Sequence, residues 1–200
     1  MDTLNVNVRV RYITLLIGFL ATVAVTIWAF FASSSHEPKD IVPVTAAGIT
    51  ATALVYAAMS LHANQILNER KLLQEKKQLS LNLIGEWHKP DMAKLTIVGA
   101  AVRKEVKDLH PKEVVDILTN DKEKQMAVVS MLNYMEKMAI SVDVGVADEE
   151  TLREFFDSIV RLNYHALRGF IEYRRTELSD ASVFIKYEGL AKRWGSKRGA

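Results

Sequence analysis

Apolar residues are unevenly distributed along this chain. From Tyr12 to Ser35 there is no formal charge in 24 positions, YITLLIGFLATVAVTIWAFFASSS. A helix that crosses a membrane needs about 20 such residues. A second run, Ile41 to Asn64, is uncharged apart from His62, with Pro43 near its start, where proline fits a first helical turn. The charged segment HEPKD separates the two runs, within a loop of about eight residues, SSHEPKDI. The pattern predicts a membrane hairpin with spans at about 12–34 and 42–63. A cleaved signal peptide uses an apolar stretch of about 7–15 residues, shorter than the first run, and is not followed by a second span.

No break signal follows the second run, so its helix is expected to continue as a stalk. Ile66, Leu73, Ile84 and Trp87 share one face of it, and Leu72, Leu79 and Leu83 form a second stripe. Helices are then predicted over about Met92–Leu109, Lys112–Leu118 and Lys122–Val144. His110-Pro111 stops the first, because proline disfavours helix for its predecessor. Asp148-Glu149-Glu150 supplies a cap and acidic first turn for the next helix, which places Leu152, Phe155, Phe156, Ile159, Val160, Leu167, Phe170 and Ile171 at helical spacing. A last helix is expected from about Asp180 to Trp194, ahead of a basic tail. There is no alternating strand pattern and no internal repeat. The expected fold is all-α: an N-terminal transmembrane hairpin (1–64), a long stalk helix continuous with the second span and a cytosolic helical bundle (65–194), and a basic tail (195–200).

Small residues recur on the spans. Thr14, Gly18, Thr22 and Thr26 stand four apart on the first, and Ala46, Thr50, Ala53 and Ala57 lie on one arc of the second. Small residues let helix backbones approach closely in lipid. One stripe is expected to pair within the hairpin and the other between protomers. A mildly polar arc, Thr45, Gly48, Thr52, Tyr56 and Ser60, would line a pore if several copies formed a ring. Neither span carries a charged residue that would serve an ion relay.

Lysine and arginine set the orientation. Arg9 and Arg11 precede the first span, and Arg70, Lys71, Lys76 and Lys77 follow the second, whereas the short loop holds Lys39 against Glu37 and Asp40. Both termini are therefore expected in the cytoplasm, with the short loop outside. The net charge of +2 is not the strongly basic field of a dedicated nucleic-acid binder. With no cysteine there is no disulfide, no Cys-ligated zinc and no thiol nucleophile.

The stretch MLNYMEKMAISVDVGVADEETLREFF, followed by IVRLNYHALRGFIEYRR and FIKYEGLAKRW, resembles the bacterial family described as domain of unknown function 4760, over roughly residues 60–194. The resemblance implies two N-terminal membrane helices in a bacterial inner membrane and a helical body, and no established activity. In architecture the chain is also similar to the membrane accessory proteins of RNA-targeting type VI-B CRISPR systems. These join membrane helices to a cytosolic helical domain with a divergent ribonuclease-like motif, and form pores.

That second likeness directs attention to an arginine and a histidine on one helix face. Arg103 and His110 have the spacing, which composition alone supplies about once in a chain like this. The pair spans a helix end beside Pro111, and a lysine, Lys104, follows the arginine. The remaining histidines, His36, His62, His88 and His165, are scattered without metal-ligand spacing, so no metal and no cofactor is expected. His165, beside Asn163 and Tyr164, reads as a hydrogen-bonded core or groove residue. Lys192, Arg193, Lys197 and Arg198 surround Trp194 and are of a kind that meets anionic lipid or nucleic acid.

The leading expectation is a non-enzymatic, membrane-anchored homo-oligomer that acts through its cytosolic helical domain as an interaction or signalling module. Its partners would be membrane lipid, its own copies and a cytosolic protein, and nucleic acid is not expected. A membrane-pore effector in anti-phage or CRISPR-linked defence is the alternative. A HEPN-like ribonuclease built on Arg103 and His110 is the third reading.

Overall fold

The computed structural model describes residues 38–196 (backbone alone at 38–41, 44 and 45) and scattered helical positions between 13 and 32. The bounds of the first predicted span, Thr14, Thr22 and Thr26 within it, the side chain of Thr45 and residues 197–200 lie outside the described residues. Every regular element among the described residues is a helix. The chain divides into two units, Met1–Arg70 and Lys71–Ala200.

Helix α1, Pro38–Trp87, is a single helix of 50 residues. It starts earlier than the hydrophobic pattern suggested, so Pro38 occupies the first turn and Pro43 lies inside the helix. Its Ala46–Trp87 portion is long and apolar enough to cross a membrane, and no residue of the most apolar stretch is buried. Within the first unit, helical backbone at Gly18 comes close to α1. A Cβ built on Gly18 would stand 2.7 Å from Cγ2 of Thr52, the intimate approach that a small residue permits between helices in lipid.

In the second unit, the last turns of α1 bury Ser80, Leu83 and Trp87, while Leu72 and Leu73 remain about half exposed. After Trp87 the chain turns through His88 and Lys89. Lys89 is extended, as a residue before proline must be, and Pro90 opens α2, Pro90–Val106. A turn follows, and α3, Pro111–Asn120, begins with His110 as its N-cap. The His110 side chain accepts from the backbone N–H of Lys112 at 3.4 Å, and the Glu113 carboxylate accepts from the backbone N–H of His110 at 2.9 Å. Asp121 then caps α4, Lys122–Asp143, by accepting from Glu123 and Lys124 N–H. Gly145, at φ 73°, makes the turn after it in a left-handed conformation that suits glycine.

Helix α5, Glu149–Glu177, is capped by Asp148, whose Oδ1 accepts from the N–H of Thr151 at 3.0 Å and from its hydroxyl. These two bonds hold the Asp148 carboxyl below its usual pKa range. Ser80, fully buried, accepts from the Asp148 N–H at 2.8 Å and thereby ties α1 to the start of α5.

Helix α6, Ile185–Ser196, begins five residues later than the spacing predicted. Ser179 and Phe184 both have positive φ, and between them Asp180 accepts from the Ser182 N–H and hydroxyl, so local side-chain bonds outcompete a helix there. Phe184 is buried despite its unfavourable backbone, so packing holds it in place.

Helices α4 and α5 supply most of the core. Met131, Leu132, Met135 and Met138 of α4 share one buried cluster with Leu152, Phe156, Leu167 and Phe170 of α5, and α6 adds Tyr187, Leu190 and Trp194. Trp87 closes the end nearest α1, with its ring 5.2 Å from Tyr134 and 5.4 Å, edge-on, from Phe156. The Tyr134 hydroxyl donates to the Leu83 carbonyl, and that of Tyr187 to the Val160 carbonyl at 2.9 Å. Burial pushes both phenols well above their usual pKa, so they remain protonated donors.

Candidate functional site

Positions three and four apart on α2 bring Thr96, Ile97, Ala100, Arg103 and Lys104 to one face, across from Ile159, Leu162, Asn163 and Ala166 of α5. Two clefts open there, and Arg103 forms a wall of each. One, of about 310 Å³, is floored by apolar groups: Trp87, Ile97, Ala100, Met131 and Ile159. The other, of about 650 Å³, is rimmed by Lys104, Lys107, Asp108 and His165. Ile97 is 70% exposed and Leu162 51%, so the apolar rim is open to solvent, while Trp87 and Met131 are largely buried beneath it.

At the junction a polar contact fixes the geometry. Nη1 of Arg103 donates to Oδ1 of Asn163 at 3.2 Å, and Nδ2 of Asn163 points at the Met131 sulfur at 3.4 Å. Asn163 is 2% exposed, and it shares with Ser80 the distinction of being a buried polar residue among those described. Its amide is thus satisfied on both sides, and the half-buried Arg103 side chain is held in one direction. Among the described residues Arg103 has no carboxylate partner, whereas Lys107 is 3.6 Å from Asp108 and Arg168 is 2.9 Å from Glu172. A third cleft, about 420 Å³, continues past His165 and Ala166 to Pro111, Arg168 and Gly169.

Arg103 is therefore in the clefts, but His110 is not among the residues lining any of these three. His110 caps α3, and Arg103 leans on α5, so each has a structural partner of its own. His165 is exposed and lines the second and third clefts, a groove position. Trp194 is fully buried and donates through Nε1 to Glu149 at 2.8 Å, with Arg193 on the same carboxylate at 3.1 Å. Its indole belongs to the core and does not meet lipid. Lys192 is paired at 2.6 Å with Glu188, which also holds Arg175 at 2.8 Å. The Lys192 and Arg175 cations lower the Glu188 pKa to about 2.

On α1, Ala46, Thr50, Ala53 and Ala57 are exposed, Tyr56 is 41% exposed, and Thr52 and Ser60 are half-buried. The Thr50 and Thr52 hydroxyls donate to the carbonyls of Ala46 and Gly48, at 2.8 and 2.9 Å, which satisfies them within the helix. No group of three or more metal-ligating side chains occurs among the described residues.

Asn163 carries the site and was legible as an anomaly, since it falls on the Val160, Leu167, Phe170 stripe of α5 where apolar residues are expected. Lys104, Lys107 and Trp87 gave no such signal, because a basic exposed face and an apolar helix end look ordinary until the partner helix is known.

No curated protein matches the chain, and no solved structure does. A family model does match, over residues 45–194, which takes in the latter part of α1 and all five helices that follow. The chain belongs to that family, DUF4760, a domain of unknown function.

Proposed function

We propose that this chain is a two-span protein of a bacterial inner membrane, with both termini in the cytoplasm, that works as a homo-oligomeric interaction or signalling module through its helical second unit. The observation that carries this reading is α1. One helix contains an apolar stretch with no buried residue, and also supplies Ser80, Leu83 and Trp87 to the core of the second unit. A free-standing domain gains nothing from a predominantly apolar stretch of this length with none of it buried, and a membrane accounts for it. The close approach of Gly18 to Thr52 supports a closed hairpin. Ala46, Thr50, Ala53 and Ala57 are then left for a second copy of the chain.

The absence of cysteine makes the topology directly testable. A single cysteine at His36→Cys should react with a membrane-impermeant maleimide on spheroplasts, and one at Lys112→Cys should react only after lysis. Labelling of Lys112→Cys on intact spheroplasts would overturn the orientation.

The pore alternative requires a ring in which Thr45, Thr52, Tyr56 and Ser60 face the axis, and is tested by ion flux with a charge at Thr52. The ribonuclease alternative requires Arg103 and His110 to act together, and alanine variants with unaltered RNA cleavage would exclude it.

A further inference from the structure

Arg103 is a half-buried cation held by a neutral residue, in a wall shared by an apolar cleft and a basic one. A partly desolvated guanidinium is ordinarily matched by a carboxylate, because the loss of hydration is otherwise uncompensated. Here Asn163 occupies the place of the carboxylate. It orients Arg103 through one N–H and leaves the charge unneutralised, with four further N–H donors on the guanidinium. Lys104 adds a second positive charge on the same rim, and it too has no ion pair among the described residues. On the other side of Arg103 lie Trp87, Ile97, Met131 and Ile159, with no carboxylate lining that cleft. Each cleft has the volume of a small-molecule site, and the mixture of an apolar wall with a few convergent polar groups is what such sites share.

We propose that the α2/α5 cleft binds a small amphipathic organic anion, its phosphate or carboxylate head on Arg103 and Lys104 and its flat apolar body against Ile97, Met131 and Trp87. The arrangement is preorganised, since Asn163 fixes the guanidinium before the ligand arrives and little side-chain freedom is lost on binding. A planar guanidinium suits either oxyanion through paired N–H donors. The head alone would be held at an exposed rim and the body alone in an open groove, so binding needs both parts. This site goes beyond the membrane-anchored oligomer proposed above and does not depend on its copy number.

The test is calorimetric titration of the full-length protein in nanodiscs of zwitterionic lipid, with empty nanodiscs as the blank. The probes are 1-naphthyl phosphate and 1-naphthoate (head and body), inorganic phosphate (head alone) and 1-naphthol (body alone). Saturable binding of one molecule per chain is expected for at least one of the two amphipathic anions, about tenfold tighter than for phosphate or naphthol. Which of the two binds more tightly identifies the head group. Lys104→Glu and Ile97→Asp are exposed positions whose replacement leaves the fold intact, and each should weaken binding about tenfold or more. Arg103→Gln should abolish it. No saturable binding by either amphipathic anion, or binding unchanged in both Lys104→Glu and Ile97→Asp, would overturn the proposal.

Discussion

Arg103 and Asn163, 60 residues apart in sequence, meet at 3.2 Å where α2 crosses α5. The asparagine lies in the core and the arginine reaches it from the rim, so one hydrogen bond sets both the packing of the two helices and the electrostatics of the cleft. Removing the arginine leaves the Asn163 carbonyl oxygen without its donor in a nearly dry position. Arg103→Met should therefore lower stability by about 1–3 kcal/mol in urea unfolding. The double variant Arg103→Met with Asn163→Leu should recover part of the loss, because the buried polar group is then gone. A double variant no more stable than Arg103→Met alone would contradict the role given to this bond.

Glycine at 169 is required by the close passage of the α3 start. A Cβ there would lie 2.9 Å from the Pro111 Cα and 2.6 Å from its Cβ, and backbone cannot give way as a side-chain end does. Gly169→Ala should cost about 1–3 kcal/mol through this overlap. Gly189, in α6, has nothing within 4 Å of the same construction. Gly189→Ala should instead stabilise by about 0.5–1 kcal/mol, as alanine is the better helix former. Thermal denaturation of the two variants reads opposite signs.

Glu188 makes stability depend on acid pH. Its ion pairs with Lys192 and Arg175 lower its pKa to about 2 from 4.5. A carboxyl with a depressed folded-state pKa stabilises the fold fully above its unfolded value, and the contribution is lost as pH falls from about 4.5 toward 2. With screening by nearby solvent the effect should be about 1–2 kcal/mol. Glu188→Gln should flatten the stability profile over that window and change little between wild-type values at pH 2. An unchanged acid slope in the variant would show that the pairs do not matter.

The outline of the fold was readable because helix boundaries here follow local chemistry. Pro90, Pro111, Asp121 and Asp148 each stop or start a helix where their backbone and side-chain preferences require it. The α6 start was misplaced because Phe184 adopts a positive φ that only burial in the core sustains, and no local signal announces that. Of the cleft, Arg103 was singled out for its spacing to His110, yet its true partner is Asn163 on another helix. A contact 60 residues distant has no local signature, and His110 was engaged by the neighbouring Lys112 and Glu113. Trp194, surrounded by basic residues in the sequence, suggested a surface role. It is buried in the apolar core with its N–H on Glu149, 45 positions away, which no inspection of the tail alone could supply.

The exposed face of α1 is where a second copy is expected. Ala53→Ile with Ala57→Ile adds bulk where close backbone approach is needed, so self-association should weaken while the second unit stays folded by circular dichroism. An unchanged assembly would place the contact elsewhere on the chain.

On the function proposed above, the chain is anchored in a membrane and works as an assembly of its own copies. The most direct test is the mass of the full-length protein in nanodiscs, measured by native mass spectrometry across a range of protein concentrations. The account predicts a dimer or larger discrete species that persists on dilution, and a closed ring of six or more would favour the pore alternative. A monomer at every concentration would contradict it.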